Sequence, residues 1–327
     1  MQQVSRAVCG TAAAALVMAA CTVSSASAPP TELPPVERPY SRSSVWNTMI
    51  APRSQTHPES DRLVATIGER LTSDPTQYTM AVYETDPGAE PVTVRIRGNY
   101  SDVHQEGRRL QRSKGVDVDV PLPVDAVPPD GSDGHIVVHQ RSTGDEWGLW
   151  QARRLPSGAW EATNGYHYDT DWSGVPPTGF GSRGSGVPYL AGLVRRHEIE
   201  RGLVDHVIAF AYPSPSCAFV WPATKSDGKG QVDVNLPEGS RLQLDPTLDR
   251  EDFQRWGLDR TGRIIARALQ DYGMVVVDVS GRPKIYLEAQ HSAMWPLGVD
   301  AQTVAGIPLS AFRVVASSVS VSTDSCR

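Results

Sequence analysis

The sequence predicts a mainly β protein: a β-sandwich or jelly-roll-like single domain with about three short helices. Strand-like segments follow one another in runs, whereas helical segments are few and irregularly placed, and this pattern disfavours a doubly wound sheet. No internal repeat and no break in composition divides residues 44–327. We therefore expect one β-rich domain of about 280 residues there.

The first residues predict export. Residues 1–28 contain one charged residue, Arg6, before an apolar run at 12–20 that is typical of a secretory signal and too short for a membrane span. Two processing routes fit the sequence. The small residues 26–28 predict release into the medium, whereas a lipobox-like segment ending at Cys21 predicts acylation of that cysteine. We favour the lipid anchor at Cys21, because a flexible Thr/Ser/Pro segment follows it.

A linker and a disulfide are expected after the signal. Residues 29–43 are rich in proline and predict an extended linker. Once Cys9 in the signal and Cys21 are set aside, Cys217 and Cys326 remain, and an exported chain with two cysteines left is expected to pair them. A metal site from these two cysteines is disfavoured, because they are far apart and the chain has no CxxC motif.

The charge balance excludes some partners. The chain has 31 Lys and Arg residues against 37 Asp and Glu residues, a net charge of −6. This mild acidity does not fit a nucleic-acid-binding protein. Nothing after residue 28 is long and apolar enough to cross a membrane, so we expect membrane contact only through the lipid anchor.

The first half of the predicted domain is expected to contain one helix followed by strands. Ser60 is a suitable N-cap for a helix with one apolar stripe. The stripe is formed by Leu63, Val64, Ile67 and Leu71. Apolar and polar side chains alternate in residues 92–96 and 116–120, which predicts strands with one solvent-exposed face. Residues 135–140 and 146–152 predict a hairpin around a Ser-Thr-Gly-Asp turn.

The stretch 181–221 organises the second half. It begins as a glycine-rich loop and continues as a short, interrupted helix from Pro188 to a stop at Gly202. From Leu203 the period changes to two, with a bulky face and a small face that are both largely apolar. This pattern predicts a central strand that is covered on both sides.

A helix, a hairpin and a last strand complete the expected fold. The helix presents one apolar face, formed by Ile264, Ile265, Ala268, Leu269 and Tyr272, and Gly273 ends it. Residues 274–279 and 284–288 predict a second hairpin, and residues 311–321 predict the final strand.

The long irregular segment 164–187 is the predicted site, because so long a loop in a compact domain is more often functional than idle. Asp169 and Asp171 flank Thr170 and precede Trp172. Two acids beside an aromatic residue fit a general acid with its partner, a Ca²⁺ site or a plain turn, and the sequence leaves all three open.

Histidines supply the expected partner of Asp169. His135 and His139 lie four residues apart on a predicted strand, hence about 13 Å apart, which is too far for one metal ion. We therefore expect no metal site from this pair. His206 stands among apolar residues, where a histidine is usually a hydrogen-bonded structural residue. The interpretation that we carry forward has His135 or His206 as the partner of the catalytic acid.

Four further residues complete the predicted substrate site. Ser182 and Arg183 lie in the glycine-rich loop before a helix start, an arrangement that can receive an anion. Close backbone packing explains these glycines equally well. Trp147 and Trp172 are candidate stacking platforms, since tryptophan rings stack on sugar faces, although either can also be a core residue.

Familiar catalytic motifs are absent, but a set of short motifs resembles a known group of sequences. The set consists of Val45–Thr48, Asp133–His135, Trp150–Ala152, Gly186–Arg195, His206, Val220–Ala223 and Tyr272–Met274. Together these motifs resemble a family of exported, single-domain proteins of the actinobacterial type, over residues 44 to about 290. Lys225 departs from the family pattern, because many members carry a histidine there. The resemblance implies one exported domain and does not imply a reaction.

The sequence therefore predicts an exported or lipid-anchored protein that acts on an extracellular or cell-envelope polysaccharide and cleaves its glycosidic bonds. Asp169 is the expected acid or base, and Arg183 is the expected anion clamp. Hydrolysis and β-elimination both stay open. We expect no cofactor, with Ca²⁺ as the one ion that the acidic pair allows. The alternative is a non-catalytic carbohydrate-binding or structural cell-surface protein.

Overall fold

Strands dominate the fold, as the sequence predicts, and the protein is mainly β. The computed structural model describes residues 38–98, 101–105, 109–113, 115–296 and 298–326. The predicted signal, Cys21 and residues 29–37 of the predicted linker lie outside these ranges. The part of the linker that is described packs against the domain: Arg38 pairs with Asp205 at 2.5 Å, and the Tyr40 hydroxyl donates to Glu146 at 2.8 Å.

The elements follow in chain order. The strands are β1 (Thr72–Ser73), β2 (Met80–Glu84), β3 (Val92–Ile96), β4 (Ser101–Gln105), β5 (Arg109–Ser113), β6 (Val116–Val120), β7 (His135–Gln140), β8 (Asp145–Trp150), β9 (Arg153–Arg154), β10 (Trp160–Ala162), β11 (Asn164–Asp169), β12 (Ile208–Tyr212), β13 (Ser216–Phe219), β14 (Pro237–Glu238), β15 (Arg241–Leu244), β16 (Met274–Val279), β17 (Lys284–Ile285) and β18 (Phe312–Val314). The helices are α1 (Ser60–Val64), α2 (Arg196–Arg201), α3 (Arg250–Arg255), α4 (Arg260–Asp271) and α5 (Gln290–Ala293), with 3-10 turns at Val45–Asn47 and Leu309–Ala311.

Three larger sheets form the layers. The first sheet has the order β1-β17-β12-β16-β15-β18, the second β2-β7-β8-β11-β4-β5 and the third β6-β3-β10-β9. The second and third sheets pack face to face, because Ile136 and Val138 of the one share a core with Val94, Ile96 and Trp160 of the other. This pair of sheets is the sandwich part of the fold.

Strand β12 is buried on both faces, which confirms the prediction from its pattern. Ile208 and Phe210 belong to a core that includes residues of α1, α3 and α4. Ala209 and Ala211 belong to a second core, shared with the second sheet. The small residues lie on that side because the segment 187–194 also packs there, leaving no room for large side chains.

Several predicted elements are shorter or paired differently. The predicted helix from Pro188 is helical only over Arg196–Arg201, because Gly192 adopts a positive φ of 73° and turns the chain. The helix ends at Gly202 as expected, in the left-handed conformation. The predicted hairpin of β16 and β17 does not form, since β12 lies between them and pairs parallel to β16. The last strand covers only Phe312–Val314.

The predicted disulfide joins Cys217 to Cys326 across a sequence separation of 109. It fastens the C-terminal tail beside β13, where Phe219 and Ser322 also form an isolated bridge. Among the described residues, no helix is long and apolar enough to span a membrane.

Removing the disulfide should lower stability without changing the fold. The double variant Cys217→Ser/Cys326→Ser is expected to lose about 3–5 kcal/mol in free energy of unfolding, since a loop of about 100 residues is no longer closed in the unfolded state. Urea unfolding followed by circular dichroism measures the difference. Dithiothreitol should destabilise the wild type and leave the variant unaffected. Equal stability of oxidised wild type and variant would contradict this account.

Candidate functional site

Arg183 is held inside the protein by the loop that contains it. Its side chain is 1% exposed. Its terminal nitrogens donate to the carbonyls of Ala191 at 3.2 Å, Pro188 at 3.4 Å and Tyr189 at 3.4 Å. The predicted anion clamp is therefore enclosed by backbone acceptors, and its guanidinium fixes the loop instead of facing a ligand.

Aromatic rings continue this enclosure. The Arg183 guanidinium lies 5.5 Å from the ring centroid of Tyr189 and 5.1 Å from that of Tyr286. The Lys284 ammonium lies 4.7 Å from the ring centroid of Tyr286 and 5.9 Å from that of Tyr78. Rings and cations thus alternate from Tyr189 to Tyr78, which stabilises two poorly hydrated positive charges.

His135 stands beside this series. Its ring meets Tyr189 edge-on, with centroids 4.7 Å apart, and it is 5% exposed. Burial, followed by the charges of Arg183 and Lys284, lowers the pKa of His135 to about 3. The ring is therefore neutral at physiological pH, so it is not an imidazolium that could act as a general acid.

The glycine-rich loop depends on its glycines at two positions. Gly181 and Gly186 both adopt positive φ angles, and a Cβ on Gly181 would lie 2.0 Å from the Gly186 carbonyl oxygen. A residue outside the loop also holds it in place, because the Lys225 ammonium donates a hydrogen bond to the Gly181 carbonyl oxygen at 2.6 Å. Close backbone packing, one of the two interpretations of this motif, is therefore present.

Strand β16 brings this loop to a group of acids. Strand β15 pairs only with Met274 and Val275 of β16, and two other segments donate to the β16 backbone beyond them. The Gly239 N–H donates to Val276 at 2.7 Å, and the Ser185 N–H donates to Val277 at 3.1 Å. The β14 end and the glycine-rich loop consequently meet beside the carboxyl end of β16.

Three carboxylates converge at this place, and we call them the carboxylate centre: Asp227, Glu238 and Asp278. One oxygen of each lies within 4.8 Å of the other two. Asp278 is on β16 and Glu238 ends β14, while Asp227 is exposed in the segment after β13. A site at the carboxyl ends of parallel strands, here β12 and β16, is a common location for ligands in open sheets.

Burial and mutual repulsion shift the centre toward its protonated form. Glu238 is 0% exposed, and burial, followed by the charges of Asp227 and Asp278, raises its pKa well above the usual value. Burial and the Asp227 charge raise the pKa of Asp278 to about 7, against the opposing effect of Arg183. Asp278 can therefore hold or release a proton near neutral pH.

The predicted pair of Asp169 and His135 is not assembled. Asp169 pairs with Asp145, which pairs with Gln140 at the far end of β7, whereas His135 begins that strand. Five residues along a strand separate the two ends by about 16 Å. Asp169 instead accepts a hydrogen bond from the Asp171 N–H at 2.8 Å, the geometry of a local turn. The turn interpretation of these acids fits best.

His206 is a structural histidine. Its Nε2 lies 2.9 Å from Glu198, and its Nδ1 lies 2.8 Å from the Val207 carbonyl oxygen. Burial lowers its pKa, but the Glu198 carboxylate outweighs that effect and raises it. The residue precedes β12, at the opposite end of that strand from the carboxylate centre.

The two predicted stacking residues lie on different sides of the second sheet. Trp147 stacks on His167, with centroids 4.5 Å apart, and packs against the core between the second and third sheets. Trp172 meets Tyr168 edge-on at 5.4 Å and packs against the core toward the first sheet. They do not form one platform. Of the predicted site residues, Arg183, Ser182 and His135 come together around Tyr189, and the charge of Arg183 also acts on Asp278. The others, Asp169, Asp171, His206, Trp147 and Trp172, lie elsewhere.

A separate apolar pocket of about 510 Å³ lies on another side of β14. Pro237 and Gly239 line it, with Trp221, Val319 and Val321, whereas Glu238 is not among its lining residues. The pocket and the carboxylate centre are therefore distinct places.

Comparisons with known proteins do not identify the chain: no family model, no curated protein and no solved structure matches it. The resemblance to exported bacterial proteins therefore stays a prediction, and the site has to be interpreted from its own chemistry.

The shifted pKa of Asp278 predicts how the free energy of unfolding depends on pH. The measurement uses protein treated with a chelator, so that no divalent cation is bound. Its folded-state pKa of about 7 lies above the ordinary value of 3.8 for an aspartate, so the protonated form favours folding at low pH. That contribution is lost as pH rises from about 4 to about 7. The free energy of unfolding, measured in urea, should fall between pH 5 and pH 8 for the wild type and should fall less for Asp278→Asn.

Glu251→Gln is the matched control for this measurement, because Glu251 is an exposed acid on α3 and is not one of the three acids of the centre. Its pH dependence should equal that of the wild type. An equal fall in the wild type and in Asp278→Asn would show that Asp278 does not carry the effect.

Proposed function

We propose that this protein acts on an extracellular or cell-envelope polysaccharide and cleaves its glycosidic bonds at the carboxylate centre. The observation that carries the proposal is the pair formed by Asp278, whose pKa is raised to about 7, and the exposed Asp227 beside it. Glycoside hydrolysis requires one carboxyl group that keeps a proton and one that is ionised. We propose further that the protein is exported and that Cys21 carries its lipid anchor.

Each acid has a distinct role in the proposed reaction. Asp278 donates its proton to the leaving glycosidic oxygen while the Asp227 carboxylate attacks the anomeric carbon and forms a covalent glycosyl ester. Water, deprotonated by Asp278, then releases the sugar from Asp227 and restores both acids. Glu238 is a positioning residue, since it is fully buried behind them. The oxygens of the two acids lie within 4.8 Å of each other, which is closer to the carboxyl separation of retaining enzymes than to that of inverting ones.

Hydrolysis fits the site better than β-elimination. A lyase requires a group that neutralises the uronate carboxylate of its substrate. Arg183 is enclosed by carbonyls and aromatic rings, so it is not placed for that role. His135, the other predicted participant, is buried and neutral beside Tyr189.

A panel of neutral and acidic polysaccharides tests the proposal. The wild type should release reducing ends from at least one of them without the absorbance of unsaturated uronates. Asp278→Asn and Asp227→Asn should each reduce turnover by roughly 10²-fold or more, because each removes an acid–base group. Proton NMR of the first product should show a retained anomeric configuration.

The matched control is again Glu251→Gln, which should keep wild-type turnover. Full activity in both centre variants would contradict the assignment. Binding of a polysaccharide without any release of reducing ends would favour the non-catalytic carbohydrate-binding alternative.

A further inference from the structure

A positioning role in the proposed reaction does not account for the burial of Glu238. Its side chain is 0% exposed, and no N–H or hydroxyl donor among the described residues reaches its carboxylate oxygens. Buried carboxylates normally accept several hydrogen bonds or pair with a cation, because removing the charge from water is costly. The side-chain hydrogen bond of Glu238 is with another acid, Asp227, and the charges of Asp227 and Asp278 increase the cost, whereas that of Lys225 offsets part of it.

The spacing of the three acids fits a hard divalent cation. Calcium binds carboxylate oxygens at about 2.3–2.6 Å, so two ligands on opposite sides of the ion stand about 4.6–5.2 Å apart. The three oxygens of the centre lie within 4.8 Å of one another. This limit allows the three oxygens to surround one ion. Magnesium usually keeps several waters and binds through one or two carboxylates, so a set of three carboxylates favours calcium.

The backbone around the centre is arranged for the approach of a ligand. A Cβ on Gly184 would lie 2.4 Å from an oxygen of Asp227 and 2.9 Å from one of Asp278. The absence of a side chain at this position lets the loop cover the acids closely. Asp227 is exposed, so an ion can enter from solvent and keep water in its remaining coordination positions.

We propose that Asp227, Glu238 and Asp278 together bind a divalent cation, with calcium preferred. Glu238 is the buried anchor of this site, and the two aspartates complete it. Binding at this site does not depend on the proposed polysaccharide cleavage.

Calorimetric titration of calcium into chelator-treated, full-length protein tests the site directly. We expect one ion per chain, with a dissociation constant on the order of 10⁻⁴–10⁻³ M, as in extracellular calcium sites. Glu238→Gln keeps the shape of the side chain and should weaken binding at least tenfold. The exposed control Glu251→Gln should bind as the wild type does. Circular dichroism should show all variants folded, because Glu238→Gln keeps the size and shape of the buried side chain and adds no charge.

The outcomes separate this site from the proposed function. The absence of saturable calcium binding to the wild type, or equal affinity in Glu238→Gln, would overturn the cation site. If calcium binds as expected but no polysaccharide is cleaved, the site stands and the proposed hydrolysis falls.

Discussion

The enclosure of the Arg183 guanidinium is the constraint on which this part of the structure depends. Three backbone carbonyls and the rings of Tyr189 and Tyr286 surround one positive charge, which fixes the glycine-rich loop against the first and second sheets. A buried cation is tolerated only where such acceptors and ring faces replace water. The same loop then presents Gly184 to the carboxylate centre. Loop position and site geometry are therefore coupled.

Much of the architecture could be predicted because its causes are local. The two apolar faces of β12 and the stop at Gly202 follow from residues close in sequence. The disulfide followed from the cysteine count and the expected export. The pairing of β16 was not predictable in this way: residues 274–288 have the pattern of a hairpin, but β12 enters between the two strands from far along the chain. Non-local pairing overrides a local pattern.

The site was harder to predict than the fold. Asp227, Glu238 and Asp278 lie on three separate segments. The segment of Glu238 bonds to β16 through Gly239, whereas the segment of Asp227 bonds to the glycine-rich loop, which in turn bonds to β16. The one local signal was Asp278, an acid near the carboxyl end of an otherwise apolar strand. Asp169 and Asp171 are close in sequence, which is why the sequence predicts a shared site for them. The hydrogen bond from the Asp171 N–H to the Asp169 carboxylate is instead that of a local turn. Proximity in sequence is a weak guide to a shared site.

The comparison that tests the central claim most directly is the turnover of Asp278→Asn against that of Asp169→Asn on the same polysaccharide, with folding checked by circular dichroism. The account places the reaction at the carboxylate centre, so it predicts a loss of roughly 10²-fold or more for Asp278→Asn. It predicts near wild-type turnover for folded Asp169→Asn. The reverse result, with activity lost only at Asp169, would show that the reaction occurs at the β11 end and would contradict the account.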